Sequence, residues 1–215
     1  METVSSFIPV LAGAMLFSGF MLSSRMRLFS LIVWFRIQAV LLALYAGALG
    51  MLLADGALYA SAFFVFAIKA VLVPFLLGRA AARRGVSQKL DAYIRPALLA
   101  FLAALIIGGA FAAAHAYPLP QADLTVVAAA LALVLIGFLL LITRKDLFGQ
   151  VVGFLMLENG IFMFGLALVH GMPLLLEIGI SFDVLIGFIL MTALLNRAHR
   201  EHASVHTDRF RELVG

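Results

Sequence analysis

Three carboxylic acids stand within apolar stretches towards the C-terminal end of the sequence. Glu158, Glu177 and Asp183 lie in the segment 149–196, where two hydrophobic runs are joined by a short link at 170–173. An ionised carboxylate is expensive in hydrocarbon, so acids at such positions normally face the interior of a helix bundle and serve an ion pathway or a partner charge. These three residues are therefore the first candidates for proton-transfer chemistry.

A lysine occupies a comparable position in an earlier apolar run. Lys69 lies about eleven residues into the run 58–77, roughly 16 Å deep at 1.5 Å per residue, which is near the middle of a bilayer. Snorkelling cannot easily reach water from that depth, so this lysine either pairs with an acid or loses proton affinity through desolvation. Either state suits proton exchange. Pro74, five residues later, removes a backbone donor close to Lys69. A purely structural ion pair is the alternative.

The same rise per residue places two of the acids at a similar depth. Glu158 is about eleven residues from the start of its run and Asp183 about nine from the start of the next, or roughly 16 and 14 Å. Lys69, Glu158 and Asp183 could therefore form one polar level across the bundle. Glu177 lies only about three residues into its run, where it either belongs to the relay or contacts headgroups and water as an interfacial acid.

Arg36 is the other basic residue within an apolar run. It lies about eight residues past Leu28, roughly 12 Å into the span. From there its long side chain either snorkels towards the cytoplasmic face or forms a buried ion pair, and it could also give protons access from the cytoplasmic side. Gln38 is close in sequence, but residues two apart do not share a helix face.

The composition indicates a membrane protein. Hydrophobic residues make up 65% of the 215 residues and charged residues 12%, and the mean hydropathy is +1.14. Apolar runs of about 20 residues recur along the chain, and their length indicates helices rather than the alternating strands of a barrel. The expected fold is an all-α polytopic membrane protein. Seven transmembrane spans are predicted: Val4–Leu22, Leu28–Leu53, Leu58–Leu77, Ala97–Ala116, Leu124–Thr143, Leu147–Val169 and Leu174–Leu195.

The distribution of basic residues predicts the orientation of these spans. Thirteen of the fifteen Lys and Arg residues follow the first, third, fifth and seventh spans, and none lies in the alternate connections. The positive-inside rule then places the N-terminus outside and the C-terminus in the cytoplasm. This placement accounts for the net charge of +4 without a nucleic-acid partner.

Breaks between the spans suggest three parts. The polar connection 78–96 is the longest, and Pro118 and Pro120 mark a second break. We expect a four-helix membrane block at 1–120, a three-helix block at 121–198 and a cytoplasmic tail at 199–215. The tail has three histidines at spacings of three and four, but the chain has no cysteine, and we expect no metal site.

The residues around the acids resemble a known family. The sequences GFLMLENGI at 153–161 and PLLLEIGISFDVLIG at 173–187, together with Lys69 and Pro74, are similar to hydrogenase-4 component E, a membrane subunit of formate hydrogenlyase-type, energy-converting nickel–iron hydrogenases. The last three spans also resemble the small K (4L) subunit of respiratory complex I and its counterpart in Mrp-type cation antiporters. In that pattern the two acids map onto Glu158 and onto position 183, which is aspartate here, and the connection between them is shorter.

The resemblance implies a function and a set of partners. The chain would be a non-catalytic membrane-arm subunit of a redox complex, relaying protons through Glu158, Asp183, Lys69 and Glu177 and coupling redox chemistry in partner chains to ion translocation. Its partners would be antiporter-like and quinone-site-like membrane subunits and a peripheral redox arm, in a bacterial inner membrane.

The same resemblance places the cofactors elsewhere. The chain itself would hold none, and a nickel–iron centre and iron–sulfur clusters would belong to partner subunits. Three alternatives stay open. The chain could be a subunit of an Mrp-type cation/proton antiporter, an independent secondary transporter, or an inert scaffold whose buried ions fix helix register.

Overall fold

The computed structural model describes residues 2–83, 90–119 and 122–168, all within one compact helical unit. Its helices are α1 (Glu2–Ser24), α2 (Leu28–Leu53), α3 (Gly56–Phe64), a π-helical segment (Val65–Leu72), α4 (Val73–Arg83), α5 (Pro96–Ala116), α6 (Leu124–Thr143) and α7 (Leu147–Leu168). α3, the π-helical segment and α4 follow one another without a break and form the third long helix.

Six of the described helices are long and apolar enough to cross a membrane. The prediction of an all-helical membrane protein is confirmed for this part of the chain, and each of the first six predicted spans falls on one of these helices. The third helix continues past Leu77 to Arg83, so the long polar connection begins with helix. The seventh predicted span, Leu174–Leu195, lies outside the described residues, as does the tail at 199–215.

Local sequence explains several helix ends. Asp123 precedes α6, and its Oδ1 accepts a hydrogen bond from the Thr125 backbone N–H at 2.8 Å, as a helix N-cap does. Pro96 is the first residue of α5, where its missing N–H has no helical acceptor to lose. α2 ends at Ala54, whose φ of 52° reverses the chain directly into α3.

Glycines bring α6 and α7 into direct backbone contact. A Cβ at Gly137 would lie 2.6 Å from the backbone nitrogen of Leu157, and a Cβ at Gly160 would lie 2.8 Å from that of Val134. Glycine at these positions permits the close approach, as is common between membrane helices. Because Leu157 and Gly160 face α6, the two residues between them turn to the opposite side of α7, towards α2 and the third helix.

Three connections that carry basic residues pack together at one end of the bundle. The Arg144 side chain is fully buried, and its Nη2 donates to the backbone carbonyls of Ser23 at 3.1 Å and Arg25 at 2.6 Å. The Lys145 backbone N–H donates to the Asp91 carbonyl at 3.1 Å. From sequence these loops are predicted to share one side of the membrane, and the structure brings them to the same end. From sequence, Arg144 counts only among the basic residues that predict the orientation of the spans. In the structure its side chain also links two connections, and we call these hydrogen bonds the Arg144 clamp.

Replacing Gly160 with alanine should lower the free energy of unfolding by about 1–3 kcal/mol, because the added methyl group overpacks a contact with backbone atoms of α6. Gly108→Ala on α5 is the matched control, since nothing lies within 4 Å of a Cβ there. That variant should be neutral or gain up to about 1 kcal/mol of helix propensity. Unfolding of the detergent-solubilised chain measures both. Equal stability of the two variants would contradict the close α6–α7 contact.

Replacing Arg144 with leucine should destabilise the chain by about 3 kcal/mol, because the buried Ser23 carbonyl and the partly buried Arg25 carbonyl lose a charged donor. Burial lowers the pKa of this guanidinium, and the nearby Asp146 charge opposes that shift. Arg27→Leu, at an exposed arginine of the neighbouring loop, should change stability by less than about 0.5 kcal/mol. The same unfolding measurement compares them. A loss in Arg144→Leu no larger than in Arg27→Leu would show that the clamp contributes nothing.

Candidate functional site

A buried ion pair joins the third long helix to α7. The Lys69 Nζ lies 2.8 Å from the Glu158 Oε1, and the side chains are only 1% and 7% exposed. Both residues are predicted from sequence to lie near the middle of the membrane, and the structure brings them into contact. Glu158 faces the third long helix because Leu157 and Gly160, on the other side of α7, pack against α6.

One turn of α7 surrounds the lysine ammonium. The Asn159 Oδ1 accepts a hydrogen bond from the Lys69 Nζ at 3.3 Å, and the centroid of the Phe162 ring lies 5.6 Å from the same nitrogen. A cation above an aromatic face is a favourable contact. Asn159 is about 100° of helix rotation from Glu158, so the sequence alone does not predict that both contact one group. The ammonium contacts both side chains because it lies between the directions in which Glu158 and Asn159 leave the α7 axis.

Gln38 of α2 extends the buried polar group. The Asn159 Nδ2 donates to the Gln38 Oε1 at 3.2 Å, and both residues are fully buried. The lysine ammonium can only donate, so Asn159 must present its oxygen to Lys69 and its NH₂ to Gln38. The Gln38 Nε2 then has no acceptor among the described residues, and it lies beside Gly19 of α1. We call Lys69, Glu158, Asn159 and Gln38 the midplane cluster.

The depths of these residues agree with one another. Gln38 is about ten residues past Leu28, roughly 15 Å from that end of α2, and Lys69 is roughly 16 Å from the opposite membrane face. The two distances sum to about the 30 Å thickness of a hydrocarbon core, so the residue counts place Lys69 and Gln38 at one depth, as their contacts with Asn159 do. The depth of Gln38 within an apolar helix is the sequence signal that points to its place in the cluster. Its closeness to Arg36 in the sequence carries no such information.

Lys69 stands on an irregular part of its helix. In the π-helical segment Val65–Leu72 the Val73 backbone N–H donates to the Ile68 carbonyl, five residues back. Pro74 comes next and has no N–H to donate to the carbonyls of the preceding turn. π-helical turns are frequent at functional sites. The lysine is therefore carried by an irregular turn rather than by a regular α-helix.

The midplane cluster places one acid directly against one base. The Lys69 Nζ and the Glu158 Oε1 are 2.8 Å apart, whereas amide side chains donate and accept hydrogen bonds without readily changing protonation. Any proton exchange at this cluster would therefore involve Lys69 and Glu158. Asn159 and Gln38 position the ammonium.

Arg36, another predicted site residue, is not part of this cluster. It is exposed on α2 and makes no hydrogen bond or ion pair with the described residues. Glu177 and Asp183 lie outside the described residues. Within the ranges 2–83, 90–119 and 122–168, no three His, Cys, Asp or Glu side chains are grouped so that they could hold a metal ion.

The hydrogen bond between Asn159 and Gln38 can be tested with a double-mutant cycle. Asn159→Leu should destabilise the chain by about 1–3 kcal/mol, because it leaves the Gln38 carbonyl buried without its donor and removes an acceptor from Lys69. Adding Gln38→Leu should recover part of this loss, giving a coupling free energy of about 0.5–3 kcal/mol. Unfolding of the two single variants and the double variant measures the coupling. Additive losses would show that the two amides act independently.

Comparison with known proteins places the chain in a family. It is 34% identical over 165 residues to the uncharacterized protein Rv0085 of Mycobacterium tuberculosis, which covers 74% of each chain. It is 31% identical over 154 residues to hydrogenase-4 component E of Escherichia coli and of Shigella flexneri, which covers 70% of each chain. No protein-family model matches the chain, and no solved structure matches it significantly. The family resemblance predicted from the motifs around the acids is confirmed: the chain belongs to the hydrogenase-4 component E family.

Proposed function

We propose that this chain is a membrane subunit of an energy-converting hydrogenase complex and that the Lys69–Glu158 pair relays protons within it. The family and the six apolar helices support the membrane-subunit role. The observation that carries the relay is the ion pair itself, with its nitrogen and oxygen 2.8 Å apart and both side chains almost fully buried. Two titratable groups of opposite charge are thus held away from water at mid-depth.

Burial makes the proton affinity of such a pair sensitive to its surroundings. A unit charge that arrives about 8 Å away interacts with Glu158 by about 2 kcal/mol at an effective dielectric constant of 20, and by only a quarter of that in water. An interaction of about 2 kcal/mol changes a proton affinity by roughly thirtyfold. A charge that moves within a neighbouring chain can therefore load or unload the pair.

The relay follows from the pairing. While Lys69 is in place, its ammonium stabilises the Glu158 carboxylate. When another charge draws the lysine away, the carboxylate loses its counter-ion and takes up a proton; when the lysine returns, the proton is released to the next acceptor. Lys69 stands on the π-helical segment, and π-helical turns are frequent at functional sites. In this proposal Asp183 is the next acceptor, and Glu177 continues the relay.

The proposal includes the placement of the chain and its partners. Seven spans cross a bacterial inner membrane with the N-terminus outside, and the blocks 1–120 and 121–198 precede a cytoplasmic tail at 199–215. The packing of three basic connections at one end of the bundle supports their placement on one side of the membrane, and the positive-inside rule makes that side the cytoplasm. Partner subunits of antiporter-like and quinone-site-like type flank the chain. A peripheral arm carries the nickel–iron centre and the iron–sulfur clusters, for which this chain has no cysteine thiolates.

Replacing Glu158 with glutamine in the whole complex tests the relay. The amide keeps the shape of the side chain and can still accept a hydrogen bond from Lys69, which offsets part of the cost of leaving the buried ammonium without its carboxylate. The complex that assembles should carry out its redox reaction. Proton translocation should fall at least about tenfold, a change of about 1.4 kcal/mol or more in the limiting step. A pH-sensitive dye in inverted membrane vesicles measures translocation against redox turnover. Normal translocation by Glu158→Gln would rule out the relay.

A doubly neutral variant separates the relay from a scaffold. Lys69→Met alone leaves a buried carboxylate unpaired, which costs about 3–5 kcal/mol, whereas neutralising both partners of a buried pair is often tolerated. Lys69→Met combined with Glu158→Gln should therefore assemble better than Lys69→Met alone and still fail to translocate protons. Restored translocation in this double variant would mean that the pair only fixes helix register.

A further inference from the structure

Arg36 is the one charged residue of α2 and lies on its outward face. The helix sequence is otherwise uncharged, and the face that carries Arg36 is apolar along its length. Its exposed members are Phe29, Val33, Ile37, Leu44 and Met51. Arg36 is itself exposed and makes no hydrogen bond or ion pair with the described residues.

The midplane cluster fixes the depth of this arginine. Gln38 contacts Asn159, and Asn159 contacts Lys69, so Gln38 stands at the level of the buried ion pair. Arg36 is two residues away on the same helix, about 3 Å along the axis and about 200° around it. Arg36 therefore lies close to the level of the ion pair, on the opposite side of α2 from the cluster. A guanidinium without a counter-ion is costly at such a depth in a membrane.

We propose that the face of α2 around Arg36 docks a transmembrane helix of a partner subunit and that this helix carries an Asp or Glu at the level of the midplane cluster. This inference rests on the proposed role of the chain as a subunit of a membrane complex. An arginine at this depth is normally paired within a bundle or with a backbone carbonyl. The planar fork of a guanidinium fits a carboxylate through two parallel hydrogen bonds. The apolar residues above and below Arg36 fit the rest of a membrane helix.

Docking at this face would continue the line of charges out of the subunit. The partner carboxylate would lie about one helix diameter from the midplane cluster, with only α2 between them. Gln38 on the inner face and Arg36 on the outer face would then connect two charged sites at one depth. A change of charge on the partner acid would reach the Lys69–Glu158 pair across a low-dielectric gap.

Substitution of Arg36 tests the docking. The intact complex is purified in mild detergent through a tag on this chain, and the co-purified membrane subunit is quantified. With Arg36→Leu the amount of that subunit should fall at least about tenfold relative to the natural chain, a loss of about 1.4 kcal/mol in binding free energy. Arg36→Lys should retain more than Arg36→Leu. Ile37→Ala, which trims the same face without touching the charge, is the control and should retain the partner almost fully. The thermal stability of the chain itself should be unchanged in Arg36→Leu, because the residue is exposed. Undiminished partner retention in Arg36→Leu would overturn the proposal.

Photocrosslinking identifies the occupant of the face. A photoreactive amino acid at position 33 or 37 should crosslink to a membrane helix of another subunit that contains an Asp or Glu. Reversing both charges, Arg36→Glu with that acid replaced by arginine, should restore retention that Arg36→Glu alone loses. Crosslinks confined to lipid, to a second copy of this chain or to its own residues 169–215 would each contradict the docking.

The two proposals fail in different ways. If Arg36→Leu keeps its partners while Glu158→Gln loses proton translocation, the docking is wrong and the relay stands. If Arg36→Leu sheds a subunit while Glu158→Gln translocates normally, the docking stands and the relay is wrong.

Discussion

The main constraint on the described helices is that they must keep the Lys69 ammonium against the Glu158 carboxylate. Burying two charges in this way usually contributes less to stability than apolar packing of the same volume, whereas removing one partner is strongly destabilising. The surrounding helices therefore have to hold the pair together. Gly137 and Gly160 set the rotation of α7 against α6, Asn159 and Gln38 orient the ammonium, and one turn of α7 provides all three groups around it.

Arg144 and Lys69 are the two fully buried basic side chains among the described residues, and they have different kinds of hydrogen-bond acceptor. Arg144 lies at one end of the bundle and donates to backbone carbonyls of another loop. A guanidinium keeps its proton under nearly all conditions, so it suits a permanent clamp. Lys69 instead faces the Glu158 carboxylate in the interior. The permanent cation thus joins loops at the end of the bundle, and the lysine lies beside the acid with which proton exchange is proposed.

Much of this arrangement is readable from the sequence because bilayer thickness turns residue counts into depths. That counting predicts the first six helices and puts Lys69 and Glu158 at one level before any contact is known. Helix rotation is harder to predict. α2 is apolar on nearly all sides, so no period in its sequence shows that Gln38 faces inward and Arg36 outward. Arg144 is missed for a different reason: a basic residue just past a span satisfies the positive-inside rule whether it is exposed or buried. The glycines of α6 and α7 are visible in the sequence, but glycine is common in membrane helices, and only the packing shows which of them bring the backbones together.

The central claim is that Glu158 changes protonation while the complex works. Infrared difference spectroscopy of the membrane-embedded complex, recorded between its oxidised and reduced states, measures this directly through the C=O stretch of a protonated carboxyl group. If Glu158 takes up and releases a proton, a carboxyl band should appear in one state and be missing from the difference spectrum of Glu158→Gln. A complex that turns over with the same carboxyl bands in both the natural chain and the variant would contradict it.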